Sequence, residues 1–215
     1  MKRAISGLYA VTADVADTPA LIAAAEAALA GGARLLQYRN KAGSATLRLA
    51  QARALRALSR TFGVPLVIND HLELALAAEA DGLHLGAEDG ALAAARARLG
   101  PARILGASCY DRLDLALEAE RLGADYVAFG SFFPSSVKPG AVRAPLALLR
   151  NAKRRLSVPV VAIGGITLEN APGLIAAGAD GVAVISALFG ADDVGLAARR
   201  FCALFAAREL ATRHS

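Results

Sequence analysis

Gly123-Ala124-Asp125-Tyr126-Val127-Ala128-Phe129-Gly130 reads as a helix stop followed at once by a β run, and it returns as Gly178-Ala179-Asp180-Gly181-Val182-Ala183-Val184-Ile185. Glycine ends a helix readily because it enters the left-handed region that other residues avoid, and an apolar β-branched or aromatic run suits a buried strand. Gly31-Gly32 gives the same punctuation earlier in the chain. Working outward, strand candidates fall at Leu8–Thr12, Arg34–Tyr38, Pro65–Asn69, Gly82–Leu85, Ile104–Ala107, Tyr126–Gly130, Pro159–Ile163 and Gly181–Ile185. Alanine-rich segments with helical period follow them, among them Pro19–Ala30, Ala45–Thr61, Leu113–Leu122 and Asn170–Ala177. Strands separated by single helices pair in parallel, and right-handed crossovers wind the sheet one way. Eight such units favour closure into a single (β/α)₈ barrel over an open doubly wound sheet. Residues 1–215 read as one domain of that kind, with a flexible tail from about residue 210.

Composition narrows the function classes. At 215 residues and 55% apolar content the chain can bury a large core, which argues against disorder. The charge of +5 comes from 24 Lys and Arg against 19 Asp and Glu. Much of the excess is arginine on helix faces, such as Arg53, Arg56, Arg60, Arg154 and Arg155, where it serves as a solvated exterior. A nucleic-acid surface would interleave cations with aromatics, and only 5% of residues are aromatic, so no nucleic-acid partner is expected. The positive balance instead suits attraction of small anions. Cys109 and Cys202 fit neither a metal spacing nor a disulfide framework. Met1-Lys2-Arg3 leads into a short apolar run ending near Ala13, so no signal peptide is expected. No stretch is long and apolar enough for a membrane span. The expectation is a cytoplasmic protein with reduced thiols and no membrane partner; assembly as a homo-oligomer is left open.

Chemistry in such a barrel sits where strands run into the following loops. After the second strand come Gln37, Arg39 and Lys41 at alternate positions, so they should face one way. An amide and two cations suit a multiply charged oxyanion, and a salt-bridged rim is the plainer alternative. The third strand ends in Asn69-Asp70 and the fourth runs to Glu88-Asp89. Either pair could cap a helix. Two neighbouring strands delivering carboxylates beside cations also suit Mg²⁺, which prefers oxygen ligands and shares them with substrate phosphates. His84, inside a strand, reads as packed or hydrogen-bonded there. Ser108 ends the fifth strand. The sixth opens through Phe132 and Phe133, which read as packing, into Pro134-Ser135-Ser136-Val137-Lys138-Pro139-Gly140, a long polar loop resembling a flap. The seventh and eighth strands end in Gly164-Gly165 and Ile185-Ser186. Glycines there let backbone amides approach an anion, and barrels often hold a phosphate on those two loops. The residue types thus outline a site for Mg²⁺-pyrophosphate and a second for a single phosphate. No Ser–His or Cys–His nucleophile arrangement accompanies them.

Taken in order, Gln37–Lys41, Ile68–Asp70, His84–Asp89, Gly106–Ser108, Phe133–Lys138, Ile163–Ile166 and Val184–Ser186 resemble the thiamine-phosphate synthase family, over about Leu8 to Leu188. The resemblance implies coupling of 4-amino-5-hydroxymethyl-2-methylpyrimidine diphosphate to 4-methyl-5-(2-phosphoethyl)thiazole, giving thiamine phosphate and pyrophosphate. It implies Mg²⁺ as cofactor, held by Asp70 and Asp89. It gives the pyrimidine diphosphate to Gln37, Arg39, Lys41, Asn69, Ser108 and Lys138, with Arg39, Lys41, Ser108 and Lys138 as the catalytic set. Gly165, Ile185, Ser186 and Ser135 would take the thiazole phosphate. The family's route runs through a pyrimidine-methyl cation captured by the thiazole nitrogen, which needs no protein nucleophile. Two positions depart from the family pattern: Ala87 stands where Gln is usual, and Val137 removes a hydroxyl from a loop that commonly reads Thr-x-Thr-Lys. Competing readings are a thiazole tautomerase, which would call for an acid/base group where this chain has Ser108-Cys109-Tyr110, and a non-catalytic phosphate-binding barrel.

Overall fold

The computed structural model describes residues 5–86, 91–134 and 142–213. Eight strands, β1 (Gly7–Val11), β2 (Leu35–Tyr38), β3 (Leu66–Asn69), β4 (Gly82–Gly86), β5 (Ile104–Tyr110), β6 (Tyr126–Phe129), β7 (Val160–Ile163) and β8 (Gly181–Val184), close in sequence order into a barrel. Every neighbouring pair is parallel, including β1 with β8, so the fold is a single (β/α)₈ barrel. Its helices are α1 (Thr18–Ala30), α2 (Ala45–Thr61), α3 (Leu72–Ala77), α4 (Ala91–Leu99), α5 (Leu113–Arg121), α6 (Leu146–Arg155), α7 (Ala171–Ala176), the short α8 (Ser186–Phe189) and the terminal α9 (Val194–Arg213). Among the described residues no helix is long and apolar enough to cross a membrane.

The repeated Gly-Ala-Asp phrase has a mechanical cause at the N-terminal end of the barrel. Gly123 and Gly178 stand at φ +92° and +111°, which turns the chain from helix to strand. The aspartate that follows accepts a backbone N–H from the neighbouring strand: Asp125 from Leu105 at 2.9 Å, Asp180 from Val160 at 2.8 Å. Each also pairs with a basic helix residue, Arg96 at 2.5 Å and Lys153 at 2.8 Å. A third copy lacks the glycine. Asp81 accepts from Leu66 and pairs with Arg56 at 2.7 Å, while Glu79 takes the left-handed turn at φ +51°. The phrase is therefore a strand-start clamp, distant from the cavity described below.

Two apolar layers flank the strands. The outer one packs strands against helices; the fully buried Leu55 of α2 belongs to it, and its truncation to Ala would cost about 2–5 kcal/mol. The inner one comprises Ile5, Tyr9, Val11, Leu35, Val67, Tyr126, Ala128, Val161 and Ala183. Phe132 is buried and Phe133 packs against the outer layer.

Strand limits differ from the expected ones where the backbone leaves the ladder. The fifth strand runs on to Tyr110 rather than ending at Ala107, because a register shift between Ser108 and Tyr110 lets pairing with Phe129 resume one residue late. Tyr110 takes φ +53° there, a rare conformation for a bulky residue. The eighth strand stops at Val184, since Ile185 already caps α8.

Candidate functional site

The C-terminal mouth opens into a cavity of about 1070 Å³. Gln37, Arg39, Lys41, Asn69, Asp70, Ser108, Gly165, Ile185 and Ser186 all line it. The two sequence departures, Ala87 and Val137, and the candidate residues Asp89, Ser135 and Lys138 lie outside the described residues.

Strand alternation sorts the β2 side chains. Gln37, Arg39 and Lys41 face the cavity, while Tyr38 and Asn40 turn outward to Gln51 of α2, with bonds of 2.7 and 3.1 Å. Two residues of the first strand–helix connection hold this segment. The Thr12 hydroxyl accepts the Arg39 N–H and donates to the Arg39 carbonyl, each at 3.0 Å. Asp14 accepts the Lys41 N–H at 2.7 Å and pairs with the Arg39 guanidinium at 3.2 Å. Arg39 is only 14% exposed, so its orientation is set by packing as well as by charge. Both β2 cations are thus salt-bridged, Arg39 to Asp14 and Lys41 to Asp70, as the plainer alternative had it; among the described residues one carboxylate engages one arm of the Arg39 fork.

Asn69-Asp70 does not cap α3: the cap position is His71, which makes no side-chain capping bond. Instead Asp70 sits at φ +62°, its N–H bonded to the His84 carbonyl at 2.9 Å. Asn69 Nδ2 donates to Asp70 Oδ2 at 2.7 Å, and Lys41 Nζ lies 4.0 Å from the same oxygen. A residue held in the left-handed region by its neighbours at a cavity wall is the kind of local strain that functional sites retain. The hard oxygen donors of Asp70 and Asn69 fit the preferences of Mg²⁺, which uses few protein ligands and completes its shell with substrate oxygens and water. No group of three or more His, Cys, Asp or Glu suited to a metal occurs among the described residues.

His84 lies deeper, stacked on Tyr126 with ring centroids 5.5 Å apart. Its Nδ1 is 2.8 Å from the Tyr126 hydroxyl and its Nε2 is 2.7 Å from the Ser108 hydroxyl. The structure thus does bring a serine and a histidine together, a contact not expected from the sequence because the two lie on neighbouring strands 24 residues apart. Burial pulls its pKa down to about 4, only partly offset by the charge on Asp70, so the ring is neutral at physiological pH. Burial likewise pushes the Cys109 thiol up to about 12, leaving it a core residue rather than a nucleophile.

Across the mouth the β7 and β8 loops supply backbone. Gly164 and Gly165 stand at φ +101° and +62°. A Cβ on Gly165 would lie 2.2 Å from the Pro134 carbonyl, and one on Gly164 would lie 2.1 Å from the Ser131 hydroxyl. The glycines therefore serve close packing of the β6 and β7 loops. Asn170 braces the turn, donating to the Gly165 carbonyl at 3.0 Å and accepting from Thr167 N–H at 2.9 Å. The β6 loop is anchored at both ends, Ser131 N–H to the Val142 carbonyl and Ala144 N–H to the Ser131 carbonyl. Ile163, Ile166 and Ile185 give this side an apolar surface.

Side chains that line or brace the cavity and that sequence reasoning passed over are Tyr9, Thr12, Asp14, Tyr110 and Tyr126. Tyr9 and Tyr126 were open to discovery by alternation, since each points inward from an assigned strand. Asp14 carried no signal, because its role depends on a contact across 27 residues of chain.

A family model described as thiamine monophosphate synthase matches residues 8–188. Among curated proteins, the thiamine-phosphate synthase of Methylobacillus flagellatus is 59% identical over 201 residues, covering 94% of this chain and 96% of that protein. The thiamine-phosphate synthase of Thiobacillus denitrificans is 58% identical over the same length, covering 94% and 95%. Among solved structures, a thiamine phosphate pyrophosphorylase from Pyrococcus furiosus superposes with a TM-score of 0.82 at 36% identity, covering 94% of this chain and 96% of the other.

Proposed function

Because the chain belongs to the thiamine monophosphate synthase family and is a transferase, we propose that it couples 4-amino-5-hydroxymethyl-2-methylpyrimidine diphosphate to 4-methyl-5-(2-phosphoethyl)thiazole, releasing pyrophosphate. The observation that carries this reading is the division of one cavity into a wall of Arg39, Lys41 and Asp70 and a facing wall of Gly164, Gly165 and Ser186. A diphosphate and a phosphate monoester differ in charge in the way these walls differ.

In this reading Arg39 and Lys41 bind the diphosphate oxygens and stabilise charge that develops as the carbon–oxygen bond breaks. Asp70, with Asp89 from beyond the described residues, would hold Mg²⁺. When bound, Mg²⁺ supplies positive charge that neutralises the diphosphate as a leaving group. Lys138 and Ser135, also beyond the described residues, would add a cation and a hydroxyl to the two anion sites. Gln37, Asn69 and Ser108 orient the pyrimidine. The Gly165 loop, Ile185 and Ser186 hold the thiazole phosphate, so that the thiazole nitrogen faces the pyrimidine methylene carbon. Cleavage yields a pyrimidine-methyl cation, which the nitrogen captures to form the new carbon–nitrogen bond. Such a path demands positioning and exclusion of water rather than a nucleophile, and the surroundings of Ile163, Ile166 and Ile185 suit that demand.

The test is to incubate pure protein with both substrates and Mg²⁺ and to quantify thiamine phosphate and pyrophosphate. Equimolar formation of both products is expected. Absence of both, or isomerisation of a thiazole phosphate without coupling, would overturn the reading.

A further inference from the structure

Inside the barrel mouth, five side chains form one unbroken line of hydrogen bonds. Gln37 Nε2 donates to the Tyr9 hydroxyl at 2.5 Å, and the Tyr9 and Tyr126 hydroxyls are 2.7 Å apart. Tyr126 then meets His84 Nδ1, and His84 Nε2 meets Ser108. Gln37, Tyr9, His84 and Ser108 all line the cavity, and Tyr126 stands behind them. The middle is dry: Tyr9 is 2% exposed and Tyr126 fully buried. The two tyrosine rings meet edge to face at 5.8 Å, and Gly106 makes the room, since a Cβ there would stand 2.1 Å from the Tyr126 ring. Phenylalanine would fill these positions equally well. Burying two hydroxyls instead costs free energy unless each is satisfied, so their partners matter.

The line has a direction. An amide nitrogen donates and does not accept, so the Tyr9 oxygen accepts from Gln37 and its own proton is left for Tyr126. Tyr126 accepts that proton's bond and passes its own to His84 Nδ1. A neutral imidazole that accepts at Nδ1 carries its hydrogen on Nε2, which donates to the Ser108 oxygen. The Ser108 hydrogen is then free to point into the cavity.

We propose that the Tyr9–Tyr126 pair is a positioning unit: it holds His84 in the Nε2–H tautomer, which makes Ser108 a hydrogen-bond donor toward a ligand and so favours a heteroaromatic ring with an unprotonated nitrogen at that point. In this role Tyr126, His84 and Tyr9 act through Ser108 and Gln37. The choice of ligand ring rests on the proposed pyrimidine substrate; the tautomer rests on the hydrogen-bond line alone.

The experiment has two arms. In ¹⁵N-labelled protein at neutral pH, long-range ¹H–¹⁵N spectra separate protonated from bare imidazole nitrogens. With only three histidines in the chain, the His84 pattern is identified by its loss in His84→Asn. A protonated Nε2 and a bare Nδ1 are expected; the reverse pattern, or a doubly protonated ring, overturns the proposal. In the second arm Tyr126→Phe removes the donor to Nδ1, so the His84 pattern should become mixed and KM for the pyrimidine diphosphate should rise about tenfold, the scale of one lost hydrogen bond. KM for the thiazole phosphate should stay put. A folded Tyr126→Phe protein with unchanged tautomer and unchanged KM also overturns it. Tyr9→Phe, which leaves the Tyr126 donor in place but removes its own donor, should move both readouts in the same direction by less, and serves where Tyr126→Phe fails to fold. If wild-type protein makes no product, the proposed reaction fails while the spectrum still decides the tautomer.

Discussion

Between β2 and β5 the cavity mouth presents charged and polar side chains, whereas between β7 and β8 it presents glycine backbone among isoleucines and a serine. Arg39, Asp70 and Ser108 on the first side are each held by a partner from another segment: the Asp14 carboxylate, the His84 carbonyl and the His84 ring respectively. Gly164 and Gly165 on the second side have no side chain to hold, and they are fixed by packing under Ser131 and Pro134. The two sides should therefore fail differently. Deleting a side chain on the β2–β5 wall removes charge from the site and leaves the fold standing. Adding one on the β7–β8 wall disturbs the fold first and binding second.

The largest expected effect is Arg39→Ala. It removes a buried-stem guanidinium from the proposed diphosphate site, and kcat/KM should fall about 10³-fold, the upper range for loss of one preorganised charge-stabilising donor. Circular dichroism should be unchanged; a drop below tenfold would move the diphosphate away from this wall. Next comes Asp70→Asn, which keeps shape and the left-handed turn, since Asn tolerates it. Turnover should fall about 10²-fold, with a higher Mg²⁺ concentration needed for half-maximal rate. A Mg²⁺ titration of rate checks this, and unaltered metal dependence would leave Asp70 a partner of Lys41 only.

On the other wall, Gly165→Ala forces a Cβ against the Pro134 carbonyl at a left-handed φ. It should cost about 1–3 kcal/mol of stability, measured by urea unfolding, before any kinetic effect is interpretable. The smallest effect is Ser186→Ala, which should raise KM for the thiazole phosphate about tenfold or less and leave the fold intact, since one hydroxyl contact is lost.

Legibility in the sequence follows the same division. All eight strands were readable because apolar runs and glycine stops repeat, and the inward set on β2 followed from alternation. The clamp role of Asp81, Asp125 and Asp180 was hidden, since the phrase was visible but its partners lie on neighbouring strands and helices. Asn69-Asp70 shows the limit from the other side. Its composition suits a helix cap, and only the backbone, at φ +62°, turns Asp70 away from that use. The Gly164-Gly165 pair was read for amide access, while its packing against Pro134 depends on a loop contact that no local pattern encodes. The extension of β5 to Tyr110 escaped for a similar reason: a bulge is a property of pairing, not of one strand.

The central claim is that the two walls hold two different anions, and crossed kinetics tests it most directly. Initial rates of wild-type, Asp70→Asn and Ser186→Ala proteins are measured with each substrate varied in turn at saturating levels of the other. Asp70→Asn should lower turnover and weaken the pyrimidine diphosphate while leaving KM for the thiazole phosphate within about twofold, because sites without shared partners behave independently. Ser186→Ala should do the reverse, raising KM for the thiazole phosphate alone. Finding that either variant weakens both substrates equally, or that the pattern is exchanged, would contradict the assignment of one anion to each wall.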